Sequence, residues 1–112
     1  MFYCGIDLSA RSAHLCVVDD DIKIHLQQKT SNELPLIDSM LEPFKPDLKI
    51  VVESTFNWYW LVDGLQDLGF DLCLAHTLGL SMITQAKIKS DRRDAFSLAK
   101  LLRAGVIPKK LF

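Results

Sequence analysis

The sequence lacks any apolar run long enough to cross a bilayer. Runs such as those at residues 50–52 and 72–75 stop after a few positions, whereas a spanning helix needs about 20. The start has no basic stretch followed by an apolar segment, so nothing there reads as a secretory signal. Residence in the cytoplasm of a bacterial cell, close to the nucleoid and away from membranes, is the expectation. The three cysteines, Cys4, Cys16 and Cys73, are an odd number, show no Cys-x-x-Cys spacing and sit in apolar, strand-like stretches. They are expected to be buried free thiols. His14, His25 and His76 have no ligand-like spacing and receive no role. Internal repeats and low-complexity segments are absent, and a net charge of −1 argues against a domain that coats nucleic acid by bulk electrostatics.

What is present is one domain's worth of chain: 112 residues, 49% apolar and 24% charged, enough for a real core. The near-neutral total conceals a division. Up to Gln85 there are five basic residues (Arg11, Lys23, Lys29, Lys45, Lys49) against twelve acidic ones; from Ala86 onward there are eight (Lys87, Lys89, Arg92, Arg93, Lys100, Arg103, Lys109, Lys110) against Asp91 and Asp94. A solvated helix face explains such a basic segment; so does a phosphate-facing surface beside an acidic site.

Residues 2–8 and 13–18 are β-rich apolar runs separated by a small polar turn at residues 9–12. After the acidic turn at Asp19, Asp20 and Asp21, the residues Ile22, Ile24 and Leu26 alternate with polar neighbours. Three antiparallel strands are predicted. Ser31 or Asn32 is a candidate cap for a helix carrying Leu34, Ile37, Met40 and Leu41, with Pro35 in its first turn and Pro43 and Pro46 ending it. Residues 49–53 form a β-branched strand that finishes on Glu53. Asn57 is a candidate cap for a helix over 58–68 with Leu61, Leu65 and Leu68 on one face and Gly69 as its stop. A fifth strand over 70–75 follows, then a short helix or a loop over 76–89. Residues 91–104 give the clearest helical pattern, with Ala95, Leu98, Leu101 and Leu102 as its stripe and Gly105 and Pro108 beyond.

Three meandering strands followed by alternating helices and strands predict an α/β, RNase H-like (RuvC-like) fold: a mixed five-stranded sheet, three antiparallel strands first, with helices on both faces. A flavodoxin-like sheet would need a helix between the first two strands, where only about four residues stand.

The acids fall at informative places. Asp7 ends the first strand, Glu53 ends the fourth, and Asp91 and Asp94 lie in the predicted first turn of the last helix. Parallel neighbouring strands would bring Asp7 and Glu53 together at the edge where α/β sheets bind ligands, and residues i and i+3 of a helix share a face. Four gathered carboxylates need neutralisation; Mg²⁺ or Mn²⁺ suits hard oxygen ligands. The plainer reading makes Asp91 and Asp94 a helix cap and a first-turn acid. Asp19, Asp20 and Asp21 read as a solvated turn, while Glu53 directly after Ile50-Val51-Val52 is the least expected residue in the chain.

Gly5-Ile6-Asp7-Leu8-Ser9, Val51-Val52-Glu53-Ser54-Thr55 and Lys89-Ser90-Asp91-Arg92-Arg93-Asp94-Ala95 resemble, in this order, the motifs of the DEDD insertion-sequence transposases, the IS-one-ten family. The last, a K-x-D-x-x-D-A segment, is the most specific. The resemblance implies a RuvC-like N-terminal domain in which Asp7, Glu53, Asp91 and Asp94 form a catalytic metal site, with Lys89 nearby. It implies site-specific recombination of DNA at element ends and target, an element-encoded guide RNA, work as an oligomer, and a second domain bearing a serine nucleophile that residues 1–112 do not contain. Phe56 departs from the glycine that often follows the E-x-T triplet.

The expectation is therefore the metal-binding catalytic half of a transposase, inactive on its own, with Lys87, Lys89, Arg92, Arg93, Lys100 and Arg103 contacting nucleic acid. Two alternatives remain: a Holliday-junction-resolvase-like nuclease using metal-activated water, and a non-catalytic RNase H-like interaction domain, which exposed Trp58, Trp60 and Phe112 would favour.

Overall fold

The computed structural model describes residues 1–53, 57–75 and 94–106. In chain order these form β1 (Phe2–Leu8), β2 (Ser12–Val18), β3 (Ile24–Ser31), α1 (Leu34–Leu41) running into a 3₁₀ turn (Glu42–Phe44), β4 (Leu48–Glu53), α2 (Tyr59–Asp67), β5 (Asp71–Ala75) and α3 (Ala95–Ala104). The sheet order is β3-β2-β1-β4-β5. The first three strands pair antiparallel, and β4 joins β1 and β5 in parallel. The predicted mixed sheet is present, and the tight antiparallel β1–β2 hairpin excludes the flavodoxin-like arrangement.

Period-two alternation sorts the side chains between two layers. On one face Cys4, Ile6 and Leu8 of β1, Ala13, Leu15 and Val17 of β2, and Ile50 and Val52 of β4 pack with Ile37 and Leu41 of α1 and Leu61, Val62 and Leu65 of α2. On the other, Cys16, Val18, Val51, Cys73 and Ala75 pack against Ala95, Leu98, Ala99 and Leu102 of α3. β4 is buried on both sides, which is why it reads as a near-continuous apolar run.

Gly5 fixes how closely α3 approaches. A Cβ there would run into the Ala95 carbonyl oxygen and stand 2.6 Å from Leu98 Cβ and 2.7 Å from Ala99 N, so the helix backbone lies directly on the strand. At its other end α3 is tied by Arg103, whose Nε donates to the Asp20 carbonyl at 2.8 Å. Asp20 follows β2 at the end of the sheet where β1 begins; Tyr3 Oη donates to its carboxylate and the N-terminal amine lies 3.5 Å from it. Hence α3 runs antiparallel to β1, and its N-terminus sits at the carboxyl ends of β1 and β4.

Several local expectations are corrected. Ser31 and Asn32 do not cap α1: Ser31 Oγ donates to the Glu33 carboxylate and Asn32 Nδ2 donates to the Ser9 carbonyl, while Glu33 occupies the cap position without a side-chain bond to the helix backbone. Asn57 does not cap α2 either; Trp58 holds that position. Leu68 lies past the end of α2 and is exposed, Val62 taking the expected place beside Leu61 and Leu65. Ile22 precedes β3 in a left-handed conformation, φ 63°, and turns toward the α3 layer. The last helix begins at Ala95 among the described residues, because Asp94 is extended, φ −77° and ψ 169°. The short helix or loop considered for 76–89 lies outside the described residues. All three cysteines are buried free thiols, as expected. Trp58 and Trp60 are partly buried against the core rather than exposed, with Trp58 stacked on the exposed Tyr59 ring at 4.1 Å; Phe112 lies outside the described residues.

Candidate functional site

Asp7 is the next-to-last residue of β1 and Glu53 the last of β4. The parallel register places them as direct partners: Gly5 opposite Val51, Ile6 opposite Val52, Asp7 opposite Glu53. Both belong to the face that carries α3, because Gly5 and Val51, two residues back on their strands, lie beneath that helix. The sequence produces this by placing an acid at the carboxyl end of each of two apolar strands, at the same level. Asp7 is half-buried, whereas Glu53 is 2% exposed, an unusual position for a carboxylate. Taking such a group out of water is costly without compensating charge or hydrogen bonds, and a second carboxylate one strand away raises that cost.

Asp94 stands at the same end of the same face. Its Oδ1 accepts the Ser97 N–H at 2.7 Å, making it the N-cap of α3, and its side chain is exposed. Its charge acts on Cys16, whose thiol is pushed up to about 11 by burial first and by Asp94 second. The neighbouring Ala95 packs with Cys16 and Val18 of β2, which puts Asp94 on the β2 side of the Asp7–Glu53 pair. Asp94 precedes the helix instead of lying in its first turn; the expected sharing of a helical face with Asp91 involves a residue outside the described ones. Asp91 lies outside the described residues, as do Lys87, Lys89, Arg92 and Arg93. Among the described residues no group of three His, Cys, Asp or Glu side chains is close enough to hold a metal ion.

The two described cations of the last helix are placed differently from each other. Lys100 is exposed, with Nζ 4.5 Å from the centre of the Phe96 ring, a cation–π contact. Arg103 is engaged with Asp20 at the opposite end of the sheet from the acid pair.

Two histidines acquire neighbours that their spacing in the chain does not reveal. His14 is Asp7's direct partner across the β1–β2 ladder. His25 Nε2 lies 2.8 Å from Asp19 Oδ2, with its ring edge-on to Phe2 and Phe44. Asp19 also accepts the N–H groups of Asp21 and Lys23, and the His25 contact leads in lowering its pKa to about 2. The acidic turn is therefore organised by its own backbone, in keeping with its reading as a turn. The β1–β2 pairing was recoverable: a turn of this length sets Leu8 opposite Ala13, and Asp7 opposite His14 follows.

A five-stranded β3-β2-β1-β4-β5 sheet, layered by helices on both faces and carrying paired acids at the ends of its two central parallel strands, defines the RNase H-like class. Two solved structures of Thermus thermophilus RuvC share the fold. One, in complex with a Holliday junction substrate, aligns with a TM-score of 0.66 at 13% identity over 98% of this chain and 99% of that one. The other aligns at 0.65 and 13% over 98% and 100%. A Listeria monocytogenes protein named as a candidate N-acetylmannosamine kinase aligns at 0.50 and 12%, over 91% of this chain and 40% of that chain, so the fold alone does not specify chemistry. No curated protein matches in sequence. The sequence profile of the DEDD transposases of the IS-one-ten kind, a family described as transposase, matches residues 4–109; the chain belongs to this family.

Proposed function

We propose that the intact protein cuts and rejoins DNA during excision and insertion of an insertion sequence, with residues 1–112 as its single metal-binding catalytic domain. Asp7, Glu53, Asp91 and Asp94 are the ligands of this reading and Mg²⁺ or Mn²⁺ the ion. The observation that carries it is the register pairing of Asp7 with the buried Glu53 at the carboxyl ends of two parallel strands, in a chain whose family is a transposase family. Hard carboxylate oxygens fit these ions, and a divalent cation offsets the cost of two adjoining acids. When bound, such ions activate the attacking group and stabilise the leaving oxygen of a phosphodiester. The chain's own part is to hold the acids at one level on rigid strands, to keep water from Glu53, and to bring Asp94 to the same edge on the cap of α3. Lys87, Lys89, Arg92, Arg93 and Lys100 would contact phosphates, and Arg103 anchors α3. A serine-bearing second domain, a guide RNA, homo-oligomeric assembly and action at the bacterial nucleoid complete the proposal.

Calorimetric titration with Mg²⁺ tests it. The wild-type chain is expected to bind, with affinity reduced at least about tenfold by D7N or E53Q as ligand charge is removed; no binding, with or without DNA, overturns the metal assignment. A resolvase-like hydrolase is the second reading, supported by the fold shared with RuvC. Mg²⁺-dependent cleavage of branched DNA by the isolated chain would favour it over a transposase half that requires its second domain.

A further inference from the structure

The register that joins Asp7 to Glu53 continues outward across the sheet. Asp7 is opposite His14, and His14 is opposite Lys29. Lys29, His14, Asp7 and Glu53 therefore form one row across four strands, all on the α3 face. The row behind it, Cys16–Gly5–Val51, is covered by α3. The helix begins only at Ala95, so the covered surface gives way to a polar strip. His14 and Lys29 are exposed there. Arg11, also exposed, lies in the β1–β2 turn at the same end.

We propose that His14 and Lys29 bind the phosphates of the DNA strand that lie on the β2–β3 side of the phosphodiester held at the Asp7–Glu53 site. The inference rests on the reading of that acid pair given above and adds a set of contacts outside the basic C-terminal segment. Strands lie about 4.8 Å apart, so the Lys29 backbone is about 10 Å from Asp7. Stacked nucleotides advance about 3.4 Å each along the helix axis, so the stretch from Lys29 to Asp7 spans roughly three of them. Phosphates next to a carboxylate pair need donors close by, or the acids repel them. Lys29 provides a compact cation with three donors, and His14 provides a ring N–H in either tautomer. Of the five basic residues before Gln85, only Arg11 and Lys29 are at this end. Lys23 lies in the opposite turn, Lys49 near the start of β4, and Lys45 donates to the Leu68 carbonyl.

Fluorescence anisotropy of a labelled single-stranded DNA, measured in EDTA over a salt series, tests this. Lys29→Gln is expected to weaken binding severalfold and to make the log–log salt dependence shallower by roughly 0.7, one phosphate contact on a single strand; Lys29→Arg restores the slope. His14→Ala weakens binding with little change of slope. Lys23→Gln, at the far end of the sheet, leaves both unchanged. Undetectable wild-type binding, equal losses in all variants, or wild-type behaviour of Lys29→Gln and His14→Ala overturns the proposal. So does a loss confined to an RNA of the same sequence. Because EDTA removes divalent ions, the result is independent of the metal reading: DNA binding indifferent to His14 and Lys29 beside intact Mg²⁺ binding sinks this inference alone.

Discussion

Asp94 carries two roles that different substitutions separate. As the N-cap of α3 it accepts a backbone N–H, and as a carboxylate at the edge of the acid pair it is a candidate ligand. Asparagine caps helices about as well as aspartate, whereas alanine costs about 1 kcal/mol. Asp94→Asn should therefore leave urea denaturation unchanged while weakening Mg²⁺ binding, and Asp94→Ala should lower both; a structural cap alone would leave the metal isotherm of Asp94→Asn untouched. Asp19 makes a pH prediction. Its pKa is lowered to about 2 from an ordinary 3.8, mainly by His25. A carboxyl depressed in the folded state contributes stability that is fully present above pH 4 and is lost as pH falls toward 2. Carboxyl NMR should show Asp19 titrating near 2 in the wild type and closer to 3.8 in His25→Ala. At this scale the sequence was only partly informative. Glu53 stands out because an acid directly follows three β-branched residues. The caps did not, because Ser31 and Asn32 spend their side chains on Glu33 and Ser9, and nothing local to those residues reveals such partners.

Strands were legible in outline because burial imposes a period of two, and β4 because burial on both faces removes polar residues altogether. The ends of elements were less so. Helix α3 begins where Asp94 turns extended, and the 3.6-residue pattern does not register that change. The meeting of α3 with β1 depends on a single glycine. Gly5→Ala would place a methyl against the Ala95 carbonyl and within 2.6–2.7 Å of Leu98 and Ala99, where backbone atoms have no slack. Forcing the helix off the sheet is expected to cost about 1–3 kcal/mol or more, read as a lower denaturant midpoint. It should also lift the α3 N-terminus from the acid pair and weaken metal binding. A stability equal to wild type would show that α3 does not rest on β1 as described.

For the molecule as a whole, the sheet gathers distant acids while the helices exclude water from one side of them. Asp7 and Glu53 are separated by more than forty residues yet share a level because β1 and β4 are parallel neighbours. Fold class was legible from element order, since a short hairpin followed by alternating helices and strands leaves few layered solutions. Register is less legible: the row that adds His14 and Lys29 follows from a short turn and two pairings, neither visible as a motif. Among the described residues no helix is long and apolar enough to cross a membrane. The central claim, that Asp7 and Glu53 share a divalent cation, is tested most directly by soaking crystals of the chain with Mn²⁺ and recording anomalous scattering at the manganese edge. The account predicts a peak between the Asp7 and Glu53 carboxylates that disappears in E53Q; a clean map at that position in the wild type would contradict it.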